Sequence, residues 1–329
     1  MTGDDQRFRV MRVDALGDAD WTRWGDLAAH SLEPNGWLDV PMLRAAAAWP
    51  EMAGDLLAAI VERDGAMDAL LVLTQRRMRR LPLTLMTTEG RYMTWHADRH
   101  HPLVRADRPQ ALGALLEGLA ASGLGHLVDI TMLPTEGPLA DALAGLESDG
   151  SIAVARLETV SSTWALAAGD GDDSQWDDPL ERMVRGASGL KTDHRRKLMS
   201  SARRAERDHG APLRLEDWSA REDVADQFVA LQARGWKADA RRGGAGLSTD
   251  PDYERWFRSV IDEASGRAGL VAVALTCGDR LVALNTALVT GPAAAGFVDT
   301  YDEEFSAIGP GQIARVACWR WTTPNTPNA

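Results

Sequence analysis

The segment FVDTYDEEFSAIGPGQI, residues 297–313, carries the clearest signature of chemistry in the sequence. A predicted strand ends at Tyr301 and Asp302, and a Gly-Pro-Gly turn then opens a helix. The first N–H groups of a helix lack intrahelical partners, and together with the helix dipole they suit an anionic phosphate. Glycine at 309 and 311 lets the backbone approach a ligand without an intervening Cβ. The spacing equally fits an ordinary strand-to-helix turn, so both interpretations stay open.

A second segment, LQARGWKADARRGGAG at 231–246, combines the end of a helix with a loop rich in glycine and arginine. Such a loop is flexible and cationic, which suits closure over a substrate or a phosphate. Its candidate substrate-binding residues are Trp236, Lys237 and Arg241. A solvated surface loop is the alternative interpretation.

The third segment, KTDHRRKLMSSARRAERDHG at 191–210, is strongly basic. A narrow apolar face runs along this predicted helix at three-to-four-residue spacing. It consists of Leu198, Ala202 and Ala205. Arg196 and Arg203 lie largely off that face and are candidate contacts for a phosphorylated donor or an RNA end. A solvated face paired with nearby acidic residues is the alternative.

Histidines cluster as HADRHH at residues 96–101, but no carboxylate stands at a spacing that would complete a metal site. We therefore expect a loop and no bound metal, with His101 lining a cleft between two domains. The two cysteines, Cys277 and Cys318, lie in no CxxC pair and indicate neither a disulfide framework nor a zinc site. A reducing cytoplasm is the expected setting for such a chain.

Length and composition indicate a globular protein of two domains. The chain has 329 residues, 45% of them hydrophobic, and about 150 residues is a common domain size. A net charge of −12 argues against a general nucleic-acid binder but leaves room for a local basic patch. Residues 1–20 are polar and show no signal peptide. The longest apolar stretch, 270–289, is interrupted by Cys-Gly-Asp-Arg and predicts a hairpin, not a membrane span.

Helices and strands are predicted to alternate in a mixed α/β order. In the first half we expect strands at 8–16, 56–62, 69–75, 126–133, 152–157 and 161–166, and helices capped by Asp20 and at 41–49, 110–121 and 139–146. In the second half we expect helices at 179–209, 222–235, 251–264 and 311–321, and strands at 213–216, 270–276, 281–289 and 294–301. A Gly/Asp-rich stretch at 167–178 marks a boundary. The predicted domains are 1–168 and 181–329, with a linker at 169–180.

The second half resembles the GNAT acyltransferase domain of cellulose-biosynthesis-associated (CelD-like, BioF2-like) proteins. The resemblance rests on the arginine-rich helix that ends in His209-Gly210, on Gly235-Trp236-Lys237, and on Tyr301-Asp302 followed by Ile308-Gly309-Pro310-Gly311. That family typically has serine where this chain has Gly309. In the first half, Glu33-Pro34-Asn35 and His101-Pro102-Leu103-Val104 fall where such proteins have related stretches.

The resemblance implies two tandem GNAT-like domains, each a mixed and mostly antiparallel sheet flanked by helices. It implies acetyl-CoA or another acyl-CoA as the donor, no metal, and an amine of a small molecule as the acceptor. The donor-binding residues would be Ile308, Gly309, Pro310, Gly311 and Gln312, with the pantetheine arm beside the strand at 294–301. The expected general base is Asp302, with Asp299 second, and the expected general acid is Tyr301. Lys237 and Arg241 would contact donor phosphates or an acidic acceptor.

The sequence departs from this family after the loop. A further strand should follow the next helix and form one wall of the donor channel, but only a short tail ending in TTPNTPNA remains. Truncation, divergence, or another segment filling the gap would each account for this. Two alternative functions therefore stay open. One is that of the Fem-type transferases, which combine two GNAT-like domains with aminoacyl-tRNA and carry a comparable basic stretch. The other is a degenerate, non-catalytic GNAT pair that serves as a binding module.

Overall fold

A computed structural model describes residues 6–49, 56–78, 81–90, 97, 99–155, 180–181, 184 and 191–322, except for the side chains of 319–322. The chain divides into two units, Met1–Thr163 with Thr290–Pro292 and Trp164–Val289 with Ala293–Ala329. The strand predicted at 161–166 lies outside the described residues, as does nearly all of the linker predicted at 169–180. The domain boundaries therefore stay predictions. Of the strand predicted at 152–157, the described residues 152–155 form no strand.

The first unit is built on a mixed sheet. Its strands are β1 (Arg7–Arg12), β2 (Leu57–Arg63), β3 (Ala66–Arg77), β4 (Thr84–Thr87), β5 (Leu103–Val104) and β6 (Leu127–Asp129). They are ordered β1-β2-β3-β4-β6, with β5 beside β3, and every pairing except the parallel β4–β6 pair is antiparallel. The strands predicted at 56–62 and 69–75 pair as an antiparallel hairpin, and Asp64 and Gly65 at its tip adopt positive φ. The first predicted strand is wrong beyond Arg12, where a short 3₁₀ helix, Val13–Ala15, follows.

Four described helices accompany this sheet. They are α1 (Asp18–Ala29), α2 (Val40–Ala47), α3 (Ala111–Ala121) and α4 (Pro138–Ser148). Asp20, predicted as the cap of α1, lies inside the first turn instead, where its Oδ2 accepts the Gly17 N–H at 3.2 Å. A carboxylate at this position offsets the unpaired N–H groups and the dipole of the helix start. The apolar face of α3 packs on the sheet through Leu112, Leu115 and Leu119, as its spacing predicts.

The second unit has a four-stranded antiparallel sheet. Its strands are β7 (Leu213–Asp217), β8 (Leu270–Cys277), β9 (Arg280–Thr290) and β10 (Ala293–Tyr301), in the order β10-β9-β8-β7. Gly278 takes a φ of 59° in the tight turn between β8 and β9, a conformation that costs glycine little. This hairpin confirms that the longest apolar stretch of the sequence is a pair of strands.

Four described helices surround this second sheet. They are α5 (Thr192–His209), α6 (Val224–Ala233), α7 (Pro251–Ser265) and α8 (Pro310–Thr322). The apolar face predicted for α5 is buried in the core, and Gly210 ends this helix in the left-handed conformation, as predicted. Aromatic side chains fill the space between α6, α7 and β10, where Phe257 stacks on Phe297 with ring centroids 5.8 Å apart.

Neither a spanning helix nor a metal-binding cluster occurs in the described parts of the chain. None of the described helices is both long and apolar enough to cross a membrane. No group of three or more histidine, cysteine, aspartate or glutamate residues is placed there to hold a metal ion. Cys277 and Cys318 are buried free thiols, and burial raises the pKa of both.

Candidate functional site

The connection between β10 and α8 is a sharp double turn. Asp302 ends the strand and begins a 3₁₀ helix, Glu303–Ile308, where its Oδ1 accepts the Glu304 N–H at 3.0 Å. Gly309 then adopts φ 66° and ψ 50°, a left-handed conformation that L side chains disfavour. Pro310 starts α8 with its fixed φ and no N–H to satisfy. The sequence thus sets a helix N-terminus directly after the end of the strand.

The main-chain N–H groups of residues 308–312, predicted to form a cradle for the donor phosphate, are mostly used within this turn. Gly309 N–H donates to Ser306 O at 3.2 Å, and Gln312 N–H donates to Gly309 O at 3.0 Å. Pro310 has no N–H, and Ile308 is a buried residue at the end of the 3₁₀ helix. The prediction of a five-residue cradle therefore narrows to Gly311, whose position at the second residue of α8 leaves its N–H without an intrahelical acceptor.

Gly311 lies beside two of the predicted catalytic residues. A Cβ on Gly311 would be 3.5 Å from Tyr301 Cδ1 and 3.8 Å from Asp299 Oδ2. Both distances are ordinary van der Waals contacts. The start of α8 thus places its open N–H close to the end of β10, which brings Gly311, Tyr301 and Asp299 together.

The basic helix α5 reaches the same loop. His194 Nε2 donates to Gln312 Oε1 at 3.2 Å, and a Cβ on Gly309 would be 3.7 Å from Leu198 Cδ2. The first two turns of α5 are therefore neighbours of the start of α8. His194 was not singled out from the sequence, because nothing in its local spacing indicates that it contacts a loop more than a hundred residues later.

Asp299, which lies on β10, is held between two positively charged side chains. Lys237 Nζ donates to the Asp299 main-chain O at 2.7 Å and to its Oδ1 at 3.4 Å, and Arg315 Nη2 donates to Oδ2 at 2.5 Å. Burial raises the pKa of Asp299, but Lys237 and Arg315 outweigh burial and hold this pKa below its usual range. Asp299 is therefore ionised at neutral pH, and while both partners remain bound it is a weak base.

Asp302, the residue predicted first as general base, is fully engaged elsewhere. Its side chain is only 7% exposed, and Oδ2 accepts from Arg280 Nε at 3.0 Å and from Arg280 Nη2 at 2.5 Å. Its other oxygen caps the 3₁₀ helix. These contacts are those of a turn-capping ion pair. Both carboxylates are ion-paired, but the side chain of Asp299, at 29% exposed, is the more accessible of the two to a ligand.

Tyr301 is half-buried at the end of β10, against the core cluster that includes Leu198 and Phe305. No described side chain forms a hydrogen bond with its hydroxyl group. A phenol that has no hydrogen-bond partner among the described residues, close to an open helix N-terminus, could donate its proton to a ligand. Its role as general acid stays a prediction.

The loop after α6 is a compact series of 3₁₀ turns, contrary to the flexible loop expected from its composition. The turns are Trp236–Ala238, Ala240–Arg242 and Leu247–Thr249. A Cβ on Gly244 would lie 2.3 Å from Trp236 O, and one on Gly246 would lie 2.7 Å from Lys237 O. Gly246 N–H also donates to Lys237 O at 2.7 Å. The glycines thus permit close backbone packing that fixes the position of Lys237.

This loop covers the outer edge of β10. Asp302 N–H donates to Val282 O on β9, so in a pleated strand the main-chain groups of Asp299 and Tyr301 point to the other edge. At that edge Lys237 Nζ donates a hydrogen bond to the Asp299 main-chain O, and Trp236 N–H donates to Glu303 Oε1 at 2.8 Å. Among the described residues, part of the space expected for an added strand or a pantetheine arm is therefore filled by the loop.

The remaining predicted substrate-binding arginines are exposed or paired locally. Arg241 is exposed, and its main-chain N–H donates to Asp239 Oδ1 at 2.9 Å. Arg196 pairs with Asp193 at 3.2 Å, and Arg203 pairs with Glu206 at 2.9 Å. Exposed pairs of this kind contribute about 0–1 kcal/mol, so they hold these side chains only weakly.

His101 lies in the core of the first unit, not on a surface. It is 0% exposed, its Nε2 contacts Glu33 O at 3.3 Å, and its main-chain O accepts from Asn35 Nδ2 at 2.8 Å. The two motifs noted in the first half therefore come together. Burial, as the largest effect, lowers the pKa of His101 to about 4.

We expect this buried histidine to make stability depend on pH. The unfolded side chain takes a proton near its ordinary pKa of 6.5, whereas the folded one does so only near about 4. Protonation between these values favours the unfolded state, so the free energy of unfolding should fall as pH drops through this window, by about 3 kcal/mol in all. Urea unfolding at several pH values should show a smaller slope in His101→Asn. Exposed His30→Asn is the control, and an unchanged slope in His101→Asn would contradict the expectation.

One buried polar residue of the second unit was missed in the sequence. Asn285 on β9 is 4% exposed, and its Oδ1 has no hydrogen-bond partner within the described part of the chain. The available signal was a lone amide within the apolar run LVALNTALV.

Comparisons with known proteins agree with this fold. Residues 192–323 match the family model of the acetyltransferase (GNAT) domain. A solved structure named "Crystal structure of FemX" aligns with a TM-score of 0.50 and 12% identity, over 97% of this chain and 90% of that one. A "Tandem GNAT protein from the clavulanic acid biosynthesis pathway (without AcCoA)" aligns with a TM-score of 0.40 and 13% identity, over 96% and 85%. No curated protein sequence matches.

The likeness to FemX, at 12% identity, concerns the fold alone. The family match lies within the second unit and includes β10, the turn and α8. It supports the GNAT superfamily and acyl transfer as a general class of activity. The described residues thus form two mixed α/β units, as predicted, and the match to the acetyltransferase (GNAT) domain is confined to residues 192–323.

Proposed function

We propose that the protein is an N-acyltransferase of the CelD-like type that moves an acyl group from acyl-CoA to an amine of a small molecule. The observation that carries the proposal is the open N–H of Gly311 beside Tyr301 and Asp299. A helix N-terminus of this kind suits a pyrophosphate, and the β10 edge offers main-chain groups to a pantetheine arm. The domain match supports the acyl chemistry.

In the proposed reaction the amine nitrogen attacks the thioester carbonyl and forms a tetrahedral intermediate. Asp299 takes the proton that the nitrogen loses, and Tyr301 gives a proton to the sulfur as the carbon–sulfur bond breaks. An amide and free CoA result, and the proton gained by Asp299 returns to Tyr301 through solvent. Asp299 replaces Asp302 as the proposed base, because its side chain is 29% exposed and lies beside Gly311, whereas that of Asp302 is 7% exposed and caps the 3₁₀ helix.

Donor binding and base strength are coupled in this proposal. A pantetheine arm that pairs with the outer edge of β10 has to displace Lys237 from the Asp299 carbonyl. Because Lys237 is one of two positive charges that hold the pKa of Asp299 low, its departure raises that pKa toward the usual range. The carboxylate then becomes a stronger base at the moment when the donor is in place.

Two alternative functions are compatible with the same fold. The Fem-like function, with aminoacyl-tRNA as donor, is favoured by the contact between the basic helix α5 and the donor loop. Exposed cations on α5, Lys197 and Arg204 among them, extend from that loop along the helix. The non-catalytic alternative is favoured by the loop that covers part of the β10 edge.

We expect calorimetry to detect CoA binding to the wild-type protein, with an affinity that survives charge reversal of Arg196, Arg203 and Arg204 on α5. These side chains are paired locally or point outward, so a small donor at Gly311 should not need them. A tRNA donor would instead bind with an affinity that falls steeply with salt, and the triple reversal would remove this binding. Salt-dependent tRNA binding that the triple reversal removes, together with no heat of binding for CoA, would favour the Fem-like function. Absence of binding to both ligands would favour the non-catalytic module.

A further inference from the structure

The outward side of α5 carries a row of exposed cations, called here the basic face. Its members share one side of the helix and are Arg196, Lys197, Arg204 and Arg207. The rise per residue of an α-helix makes this row about 16 Å long. Arg196 pairs with Asp193 at 3.2 Å. No acidic group among the described residues pairs with the other three cations, so the basic face is open to an anionic partner.

The basic face begins beside the candidate donor site. His194 on α5 contacts Gln312, the residue that follows Gly311, with Nε2 and Oε1 3.2 Å apart. Arg196 and Lys197 follow His194 within one helical turn, and the row then extends along α5 away from the loop. A small donor such as CoA is held at the loop, whereas a macromolecule that brings the same phosphate to Gly311 also covers the basic face.

The turn offers the donor a single open N–H group. Gln312 N–H and Ile313 N–H both donate to Gly309 O. Pro310 has no N–H, which leaves that of Gly311. CoA brings a pyrophosphate and a 3′-phosphate, whereas the phosphopantetheine arm of a carrier protein has one phosphate, which joins the arm to a serine. One N–H can hold one phosphate oxygen, so the turn suits the arm of a carrier protein.

The composition of α5 favours a protein partner over an RNA. RNA-binding surfaces commonly stack bases on aromatic side chains, but α5 contains no phenylalanine, tyrosine or tryptophan. The ring of His209 already stacks on Phe305, with centroids 4.1 Å apart. The exposed carboxylates of Asp193 and Asp208 lie on the same helix and would repel a phosphate backbone. An acidic protein helix, with separate carboxylates between other side chains, fits this mixed pattern of charge.

We propose that the basic face of α5 docks an acidic acyl carrier protein, which delivers the acyl group on its phosphopantetheine arm. This inference rests on the proposed function and specifies the carrier of its donor, because CoA and a carrier protein present the same phosphopantetheine thioester. The arm's phosphate binds the Gly311 N–H, and carboxylates of the carrier pair with Lys197, Arg204 and Arg207. The amine displaces the thiolate of the arm, which takes up a proton and leaves as the free thiol of the carrier protein.

Calorimetry with the full-length protein tests the docking surface. The two probes are CoA and an acidic acyl carrier protein that bears the thiol-ended arm. Reversing two cations, in the double variant Arg204→Glu and Arg207→Glu, should weaken binding of the carrier protein at least about tenfold, because each reversal turns an attraction into a repulsion. These positions lie about 15 and 20 Å along α5 from His194, beyond a screening length of about 8 Å, so CoA affinity should change less than about twofold.

A matched control and a wild-type measurement complete the test. Arg77→Glu with Arg267→Glu makes the same change in net charge at exposed positions outside α5, and it should keep the affinity for both probes. In the wild type, added salt should weaken binding of the carrier protein far more than that of CoA, a result that needs no variant.

The outcomes separate the docking surface from the donor site. CoA binding together with carrier affinity that the double reversal leaves unchanged would refute the docking surface alone. Absence of binding to both probes would refute the donor site and with it the proposed function. A tRNA that binds more tightly than the carrier protein, and that the double reversal releases, would assign the basic face to RNA and overturn the inference.

Discussion

Replacing Gly311 by leucine is expected to weaken CoA binding by about 100-fold while the protein stays folded. The open N–H of Gly311 is the one group of the predicted cradle that the turn leaves for a phosphate. A hydrogen bond to a charged partner contributes about 1.5–3 kcal/mol, and about 2.7 kcal/mol corresponds to a 100-fold change in the dissociation constant. A leucine side chain at this position fills the space through which a phosphate approaches. Isothermal titration calorimetry with CoA measures the effect.

Alanine at the same position separates the backbone from the side chain. The new Cβ would make only ordinary contacts with Tyr301 and Asp299, and alanine favours a helix over glycine by about 1 kcal/mol. Gly311→Ala should therefore be as stable as the wild type or more so, and it should bind CoA less than tenfold more weakly. Gly145→Leu in α4 is the matched control, because a Cβ there meets nothing within 4 Å. Normal CoA affinity in folded Gly311→Leu would place the donor elsewhere.

The elements of the second unit were largely predictable because each has a strong local signal. The hairpin of β8 and β9 follows from two apolar runs around Gly278, and α7 follows from its apolar spacing after Pro251. The start of α8 was also visible in the glycines at 309 and 311. What the spacing could not reveal was that main-chain bonds inside the turn would use most of the N–H groups assigned to a ligand.

The candidate site depends on contacts between residues far apart in the sequence, which local patterns do not encode. The ion pairs that join Lys237 and Arg315 to Asp299, and the contact between His194 and Gln312, arise only when the sheet and helices pack. Asn285 is the exception, because an amide in an apolar strand is visible in the sequence.

The second large effect is expected from Asp302, and it concerns stability. Asp302→Ala should lower the free energy of unfolding by about 2–3 kcal/mol, since it removes a 3₁₀-helix cap and leaves Arg280 without its buried partner. The figure stays below that of a fully buried pair because Arg280 is 41% exposed. Urea unfolding followed by circular dichroism measures it. Glu304→Gln is the control, because this 66% exposed residue also pairs with Arg280 and should cost at most about 1 kcal/mol.

Asp302→Asn then distinguishes a structural residue from a general base. Its amide oxygen can still cap the 3₁₀ helix, and its size is unchanged, so most of the stability should remain. If Asp302 is structural, this variant should keep acyl transfer within about threefold of the wild type, whereas Asp299→Asn should lower it by about 100-fold or more through loss of proton acceptance. The opposite ranking, with Asp302→Asn inactive but fully folded, would restore Asp302 as the base. Arg280 would then hold a catalytic carboxylate in position, and the turn between β10 and α8 would carry the acid, the base and the donor site.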